Sequence, residues 1–301
     1  MHLYDEGLGI GYEIKDDNGI KTVTITDADK KITEIDIPDT VGGCVVDAIG
    51  KKAFLGCKGL RRVSLPDGVR SIGEWAFAFC DNLAFVELSR GPVELGKGVF
   101  KNDGSLKEIM LRTDEREGMS EAESKMTAHL LAAIPVLMDA EYLLDTNGAG
   151  DAEWLKKWDT KLSHILSLKD DDGYHLYVLC GEEDLHYDYD QYLEYNREKR
   201  SDLCMLRLVN DIGLSDEDRP VLEKYVNDHM CGCVSEAAAR VLTGRHGDEK
   251  EYYEMMLKIG AINTGNLESM LAMLGDRHAQ MKAFLMEELG SRGGFFDDLE
   301  I

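Results

Sequence analysis

The sequence predicts an α+β chain, in which a short β-solenoid of 23-residue units is followed by an all-α second half. Two observations carry this reading. Several apolar columns recur at a common spacing of 23 between residues 49 and 111, and beyond Met119 the apolar period changes from two to about 3.6. At 301 residues with 44% apolar content, the chain has room and material for about two domains with cores of their own. The predicted division is 1–113 for the repeats and 114–301 for the helices.

The repeat columns come first. Phe54, Phe77 and Phe100 are spaced by 23, and the same step links Leu60, Leu83 and Leu106, then Val63, Val86 and Ile109, then Leu65, Leu88 and Leu111. Ile49, Ile72 and Leu95 add a column in which each member precedes a glycine (Gly50, Gly73, Gly96), and Cys57 and Cys80 add another that ends at Asp103. A unit this short holds one turn of a coil and cannot bury its own apolar side chains, so it must stack on its neighbours, turning the columns into interior ladders. Within a unit, Leu60, Val63 and Leu65 read as a strand. A turn at Pro66-Asp67-Gly68 follows, then a second short strand ending at Ile72-Gly73, then the compact segment Trp75-Ala76-Phe77. The recurrent glycine has two readings: a backbone angle that a Cβ tolerates poorly, or close packing.

The units AFLGCKGLRRVSLPDGVRSIGE and AFAFCDNLAFVELSRGPVELGK resemble the BspA-type leucine-rich repeat, in which an Ala-Phe-x-x-Cys segment pairs with a Leu-x-x-Val-x-Leu-Pro strand and an Ile-Gly turn. The segment ITEIDIPDTVGGCVVDAIGKKAF resembles the opening unit of that family, with about five extra residues around Gly42-Gly43. The resemblance covers residues 20–111 and implies a leucine-rich-repeat β-solenoid. It departs from the pattern where Pro66 becomes Ser89, Val69 becomes Pro92 and the third cysteine becomes Asp103, which places the last unit at an exposed or capped end. Many members of the family are exported and resemble surface adhesins.

Side chains alternate across a strand. That puts Arg62 and Ser64, Phe85 and Glu87, and Glu108 and Met110 on the outer face of the main sheet. Phe85 and Met110 are apolar where solvent favours polar groups. They mark either a partner-binding surface or a seat for the helices that follow.

Ser120 and Glu123 have capping-box spacing at a helix start. Apolar faces follow at Leu155, Trp158, Leu162 and Ile165; at Tyr252, Met255, Met256 and Ile259; at Leu267, Met270, Leu271 and Leu274; and at Met281, Phe284, Leu285 and Leu289. Breaks at 147–150, 170–173, 213–220, 244–247 and 260–265 separate helices of ordinary length. The short loops predict antiparallel neighbours in a helical bundle or HEAT-like helical stack. A solenoid leaves its last strand edge open, and covering it is a ready role for helices.

Charge narrows the function classes. Residues 1–113 hold 15 Lys/Arg against 18 Asp/Glu, and residues 114–301 hold 19 against 40. Such acidity repels phosphate backbones and anionic lipids, so neither nucleic acid nor a membrane surface is an expected partner. The longest nearly pure apolar run, Leu130 to Met138, is too short to cross a bilayer. The opening MHLYDEGLGIGYEIKDD has acids where a secretory signal needs a basic patch and an apolar run, so a cytoplasmic protein is expected. Seven scattered cysteines read as reduced thiols.

No nucleophile elbow, phosphate loop or paired zinc-protease histidines appear, and the expectation is a non-enzyme without cofactor. His229, Cys231 and Cys233, with His246 further on, have zinc-ligand residue types but lack a second spaced pair. HYDYD, from His186 to Asp190, lacks the spacing of a calcium loop. The glycines of GLGIG (Gly7, Gly9, Gly11) precede strand-like sequence, unlike those of a phosphate loop. The expected function is non-catalytic protein binding, with Arg62, Ser64, Phe85, Glu87, Glu108 and Met110 as the contact set and the helices capping or scaffolding. The alternatives are a metal-dependent enzyme with its site at Cys231 and Cys233, and a surface adhesin.

Overall fold

The computed structural model describes residues 2–88, 92–112, 119–137, 140–174 and 189–293. The chain divides into two compact units, Met1–Lys161 and Leu162–Ile301.

The first unit opens with an antiparallel meander, β1 (His2–Asp5), β2 (Ile10–Asp17) and β3 (Ile20–Ala28). Asn18-Gly19, both left-handed, close the β2–β3 hairpin, as the strand twist requires of a two-residue turn. From β3 onward the chain coils. β4 (Glu34–Asp36), β7 (Arg62–Ser64), β9 (Phe85–Leu88) and β11 (Glu108–Leu111) form a parallel four-stranded sheet in which Glu34, Arg62, Phe85 and Glu108 stand in register. β6 (Cys44–Ile49), β8 (Ser71–Ile72) and β10 (Glu94–Leu95) extend the meander's sheet in parallel, with Ile49 beside Ile72 and Ile72 beside Leu95. The step is 23 except between the first two coils, where Glu34 pairs with Arg62. The extra five residues form the hairpin of β5 (Thr40–Val41) and β6, turned by Gly42-Gly43, both at positive φ.

The predicted ladders are present. Phe54 and Phe77 stack with centroids 5.0 Å apart, and Phe77 and Phe100 at 5.8 Å, all three buried. Stacked pairs of this kind contribute about 0.5–1.5 kcal/mol beyond the area they bury.

Of the two readings for the recurrent glycine, packing is the one realised: a Cβ on Gly73 would lie 2.5 Å from the Lys51 nitrogen, and one on Gly96 2.5 Å from the Glu74 nitrogen. The left-handed angles fall elsewhere, in two other 23-residue columns: Lys52, Trp75 and Gly98, and Gly56, Phe79 and Asn102. The N–H groups of Lys52, Phe54 and Gly56 donate to Glu74, Ala76 and Ala78 of the next coil, and those of Trp75, Phe77 and Phe79 to Lys97, Val99 and Lys101. The left-handed residues let alternate N–H groups of a turn reach the following coil, and that third ladder holds even where a side chain is present.

The end of the solenoid is covered from within the same unit. α1 (Glu121–Ala133) begins with the predicted capping box, in which the Glu123 N–H donates to the Ser120 hydroxyl and the Ser120 N–H to the Glu123 carboxylate. It packs along β11. Beyond it, Thr146 Oγ1 accepts from the Val93 N–H at 2.9 Å and Glu141 from the Gly98 N–H at 3.2 Å, so side chains stand in for the missing next coil. α2 (Ala152–Ser167) buries Leu155, Trp158, Leu162 and Ile165, as its periodicity predicts.

The second unit centres on α3 (Tyr189–Val209), which packs against α4 (Arg219–Asn227), α5 (Ala237–Gly244) and α6 (Lys250–Lys258); α5 meets α7 (Leu267–Leu274), and α8 (Ala279–Gly293) meets both α6 and α7. Charged side chains along α3 are tied by hydrogen bonds. Arg200 donates to Asp170 at 2.7 Å and to the Lys169 carbonyl, and Glu194 binds Arg197, Arg240 and Ser235. Arg207, wholly buried, closes the C-terminal end of α3 by donating to the Asn210 and Ile212 carbonyls.

Candidate functional site

Inward positions of the four-stranded sheet (Ile35, Val63, Val86, Ile109) are buried, leaving two columns outward: Glu34, Arg62, Phe85 and Glu108, and Asp36, Ser64, Glu87 and Met110. The six residues expected to contact a partner lie on this face in three groups.

Arg62 and Phe85 are neighbours on adjacent coils, with the guanidinium carbon 4.7 Å from the ring centroid; Arg62 is exposed and Phe85 half-buried. Ser64 and Glu87 belong to a closed network. The Ser64 hydroxyl donates to Glu87 at 2.7 Å, and Arg112 donates to Ser64 at 2.7 Å, contacts Glu87 at 3.1 Å and lies 3.5 Å from Asp67. The Arg112 hydrogen bond, aided by Ser64 against the effect of burial, holds the Glu87 carboxyl below its usual range. Ser64 is only 5% exposed.

Glu108 and Met110 face α1: Glu108 lies 3.6 Å from His129, and the Met110 sulfur accepts from the Ser124 hydroxyl at 3.7 Å. The open part of the face is therefore over β4, β7 and β9. Arg112 and Asp67 carry no signal in the repeat, because Arg112 reaches back 25 residues to Glu87, off the 23-residue step. The coverage by α1 has one faint signal, the outward apolar Met110.

The other candidates separate. The His229 ring bonds the Tyr225 carbonyl, Cys233 donates to the Asn227 carbonyl, and His246 sits between Asp202 (2.7 Å) and Glu249 (2.8 Å). Among the described residues no group of three or more His, Cys, Asp or Glu side chains is arranged to hold a metal. His186 to Asp188 lie outside the described residues, while Tyr189 and Asp190 begin α3. GLGIG turns the chain from β1 into β2, with Asp5 accepting from the Gly7 and Leu8 N–H groups. In the last coil, Asp103 takes the place of the column's cysteine. Its Oδ1 accepts from the Cys80 N–H at 2.8 Å, its Oδ2 is buried without a hydrogen-bond partner among the described residues, and burial pushes its carboxyl up to about 8.

Parallel coils of fixed step, two sheets and an interior aromatic ladder define a leucine-rich-repeat β-solenoid, here followed by helices. Residues 27–125 match the profile of the BspA type leucine rich repeat region in 6 copies, and this stretch of the chain is a repeat region of that family. Repeats of this type serve generally as binding modules, in protein interaction or in surface proteins.

Among solved structures, a leucine-rich repeat protein from Bacteroides capillosus shares 30% identity over 38% of this chain and 88% of its own, with a TM-score of 0.31. A leucine rich cell surface protein from Faecalibacterium prausnitzii shares 26% over 37% of this chain and 30% of its own (TM-score 0.30), and the T. pallidum leucine rich repeat protein 27% over 34% and 57% (TM-score 0.25). The chain thus spans less than two thirds of the last two. No curated protein matches it. No helix among the described residues is long and apolar enough to cross a membrane.

Proposed function

We propose that the chain is a non-catalytic protein-interaction module whose repeat sheet receives a protein partner on its outward face, over β4, β7 and β9. The Arg62–Phe85 pair carries this reading: an arginine laid over a half-exposed aromatic ring, on a rigid sheet, is the chemistry that dominates protein interfaces. Residues 1–113 supply the binding domain in this reading. The helical residues that follow cap the last coil, beginning with α1, and the acidic remainder acts as scaffold. The acidity of residues 114–301 supports a partner that is neither nucleic acid nor membrane. Free thiols at every described cysteine, half-exposed Cys44 included, support a reducing compartment, and fractionation of the native cell tests it.

The site is tested by a photo-crosslinking residue at position 85 in the native cell, with Arg62→Glu and Phe85→Glu as variants. The expected result is one crosslinked protein from wild-type background, lost with Arg62→Glu, and a partner no longer captured by Phe85→Glu while thermal unfolding is unchanged. Undiminished capture by both variants would refute the surface. Met110 is left intact because it touches α1.

A further inference from the structure

The turn between α4 and α5 and the face of α7 bring three sulfur atoms together. Cys231 Sγ lies 3.2 Å from Met270 Sδ and 3.3 Å from Met273 Sδ. Met270 and Met273 are one helical turn apart and so share a face of α7, while Gly232, at φ +90, turns the backbone immediately after Cys231. Cys231 and Met270 are buried; Met273 is half-buried and leaves one side open.

A hydrogen bond explains only half of this arrangement. A thiol has one proton and a thioether has none, so Cys231 satisfies one methionine at a time, and its other contact sets sulfur lone pairs against each other at close range. A soft cation at the centre would turn both contacts into donor bonds. Of the nearby side chains, His229 bonds the Tyr225 carbonyl, Glu236 accepts from the Gly232 N–H at 2.9 Å, and the Cys233 thiol donates to the Asn227 carbonyl. The donor set is therefore one thiol and two thioethers.

The geometry points to a copper(I) site formed by Cys231, Met270 and Met273. Soft thiolate and thioether ligands suit Cu(I), zinc and iron–sulfur clusters, and a cluster needs more thiolates than the one present. Charge agrees: one thiolate and one Cu(I) sum to zero and can stay buried, whereas Zn(II) would keep a net positive charge and lack a fourth ligand. On binding, the Cys231 S–H bond breaks, its proton goes to water, and the sulfur electron pair forms the S–Cu bond while the two thioethers donate lone pairs. No electron changes hands. The site is independent of the sheet face.

The test is anaerobic titration of the reduced full chain with Cu(I) in competition with bicinchoninate, in a Cys44→Ser/Cys180→Ser/Cys233→Ser background that removes the thiols half-exposed among the described residues and Cys180. One copper per chain is expected, with three sulfur neighbours by X-ray absorption. Affinity should fall by at least roughly 100-fold in Cys231→Ala and at least about tenfold in Met270→Leu/Met273→Leu. The leucine pair conserves volume and answers the question should Cys231→Ala fail to fold. Copper held equally well by the leucine pair, no competition with the chelator, or a preference for zinc would overturn the assignment.

Discussion

Replacing Asp103 by asparagine isolates the one carboxyl placed in the interior ladder of the solenoid. Asp103 is 5% exposed, and burial raises its carboxyl from the ordinary 3.8 to about 8. At neutral pH it is neutral in the folded chain and charged in the unfolded one, so folding takes up a proton. A group raised in this way contributes fully below the unfolded value, near 4, and its contribution is lost as pH rises through about 8. With one unit equal to about 1.4 kcal/mol, the roughly 3 units between the ordinary value and pH 7 mean that protonating this carboxyl on folding costs the wild type on the order of 4 kcal/mol of stability at pH 7, relative to a pH below 4.

The Asp103→Asn side chain keeps an acceptor for the Cys80 N–H and carries no charge at any pH. The stability difference between Asp103→Asn and wild type should therefore grow by about 2–3 kcal/mol between about pH 5.5 and 7.5, in favour of the variant. Urea unfolding followed by tryptophan fluorescence is the assay, because Trp75, Trp154 and Trp158, the only tryptophans, all lie in the first unit. Parallel pH profiles for the two proteins would refute the reasoning.

Two further outcomes separate the roles assigned above. Gly56→Asn should change stability by less than about 0.5 kcal/mol, since asparagine occupies the same left-handed column at position 102, whereas Gly73→Asn should cost at least about 2 kcal/mol by collision with the coil before it; the same urea assay compares them. In the helical unit, burial lowers the His246 pKa, but hydrogen bonds to Asp202 and Glu249 more than offset it, raising it above 6.5, with Tyr252 stacked on the ring and Arg245 beside Asp202. Its contribution is complete below 6.5 and lost as pH rises through the raised value, so His246→Gln should cost more stability near pH 6 than near pH 9 in circular-dichroism melts. An equal cost at both would remove the charge from the account.

The repeat was legible without coordinates: the coil step, the phenylalanine ladder, the inward and outward alternation, the five-residue excess at Gly42-Gly43 and the start of α1. All of these follow from local spacing, because in a solenoid each side chain meets its counterpart one period away. The outward columns of the candidate face were legible for the same reason. Which part of that face stays open was settled only by folding, since the seating of α1 on β11 and the pairing of Arg112 with Glu87 break the repeat step. Folding also settled the purpose of the glycines, where coil-to-coil distance and not backbone angle is limiting. The composition changes near residue 113, but compactness divides the chain after Lys161, because α1 packs along β11 and Glu141 and Thr146 bond the last coil of the first unit. The convergence of Cys231 with Met270 and Met273, 39 and 42 residues away, lies equally beyond any local pattern.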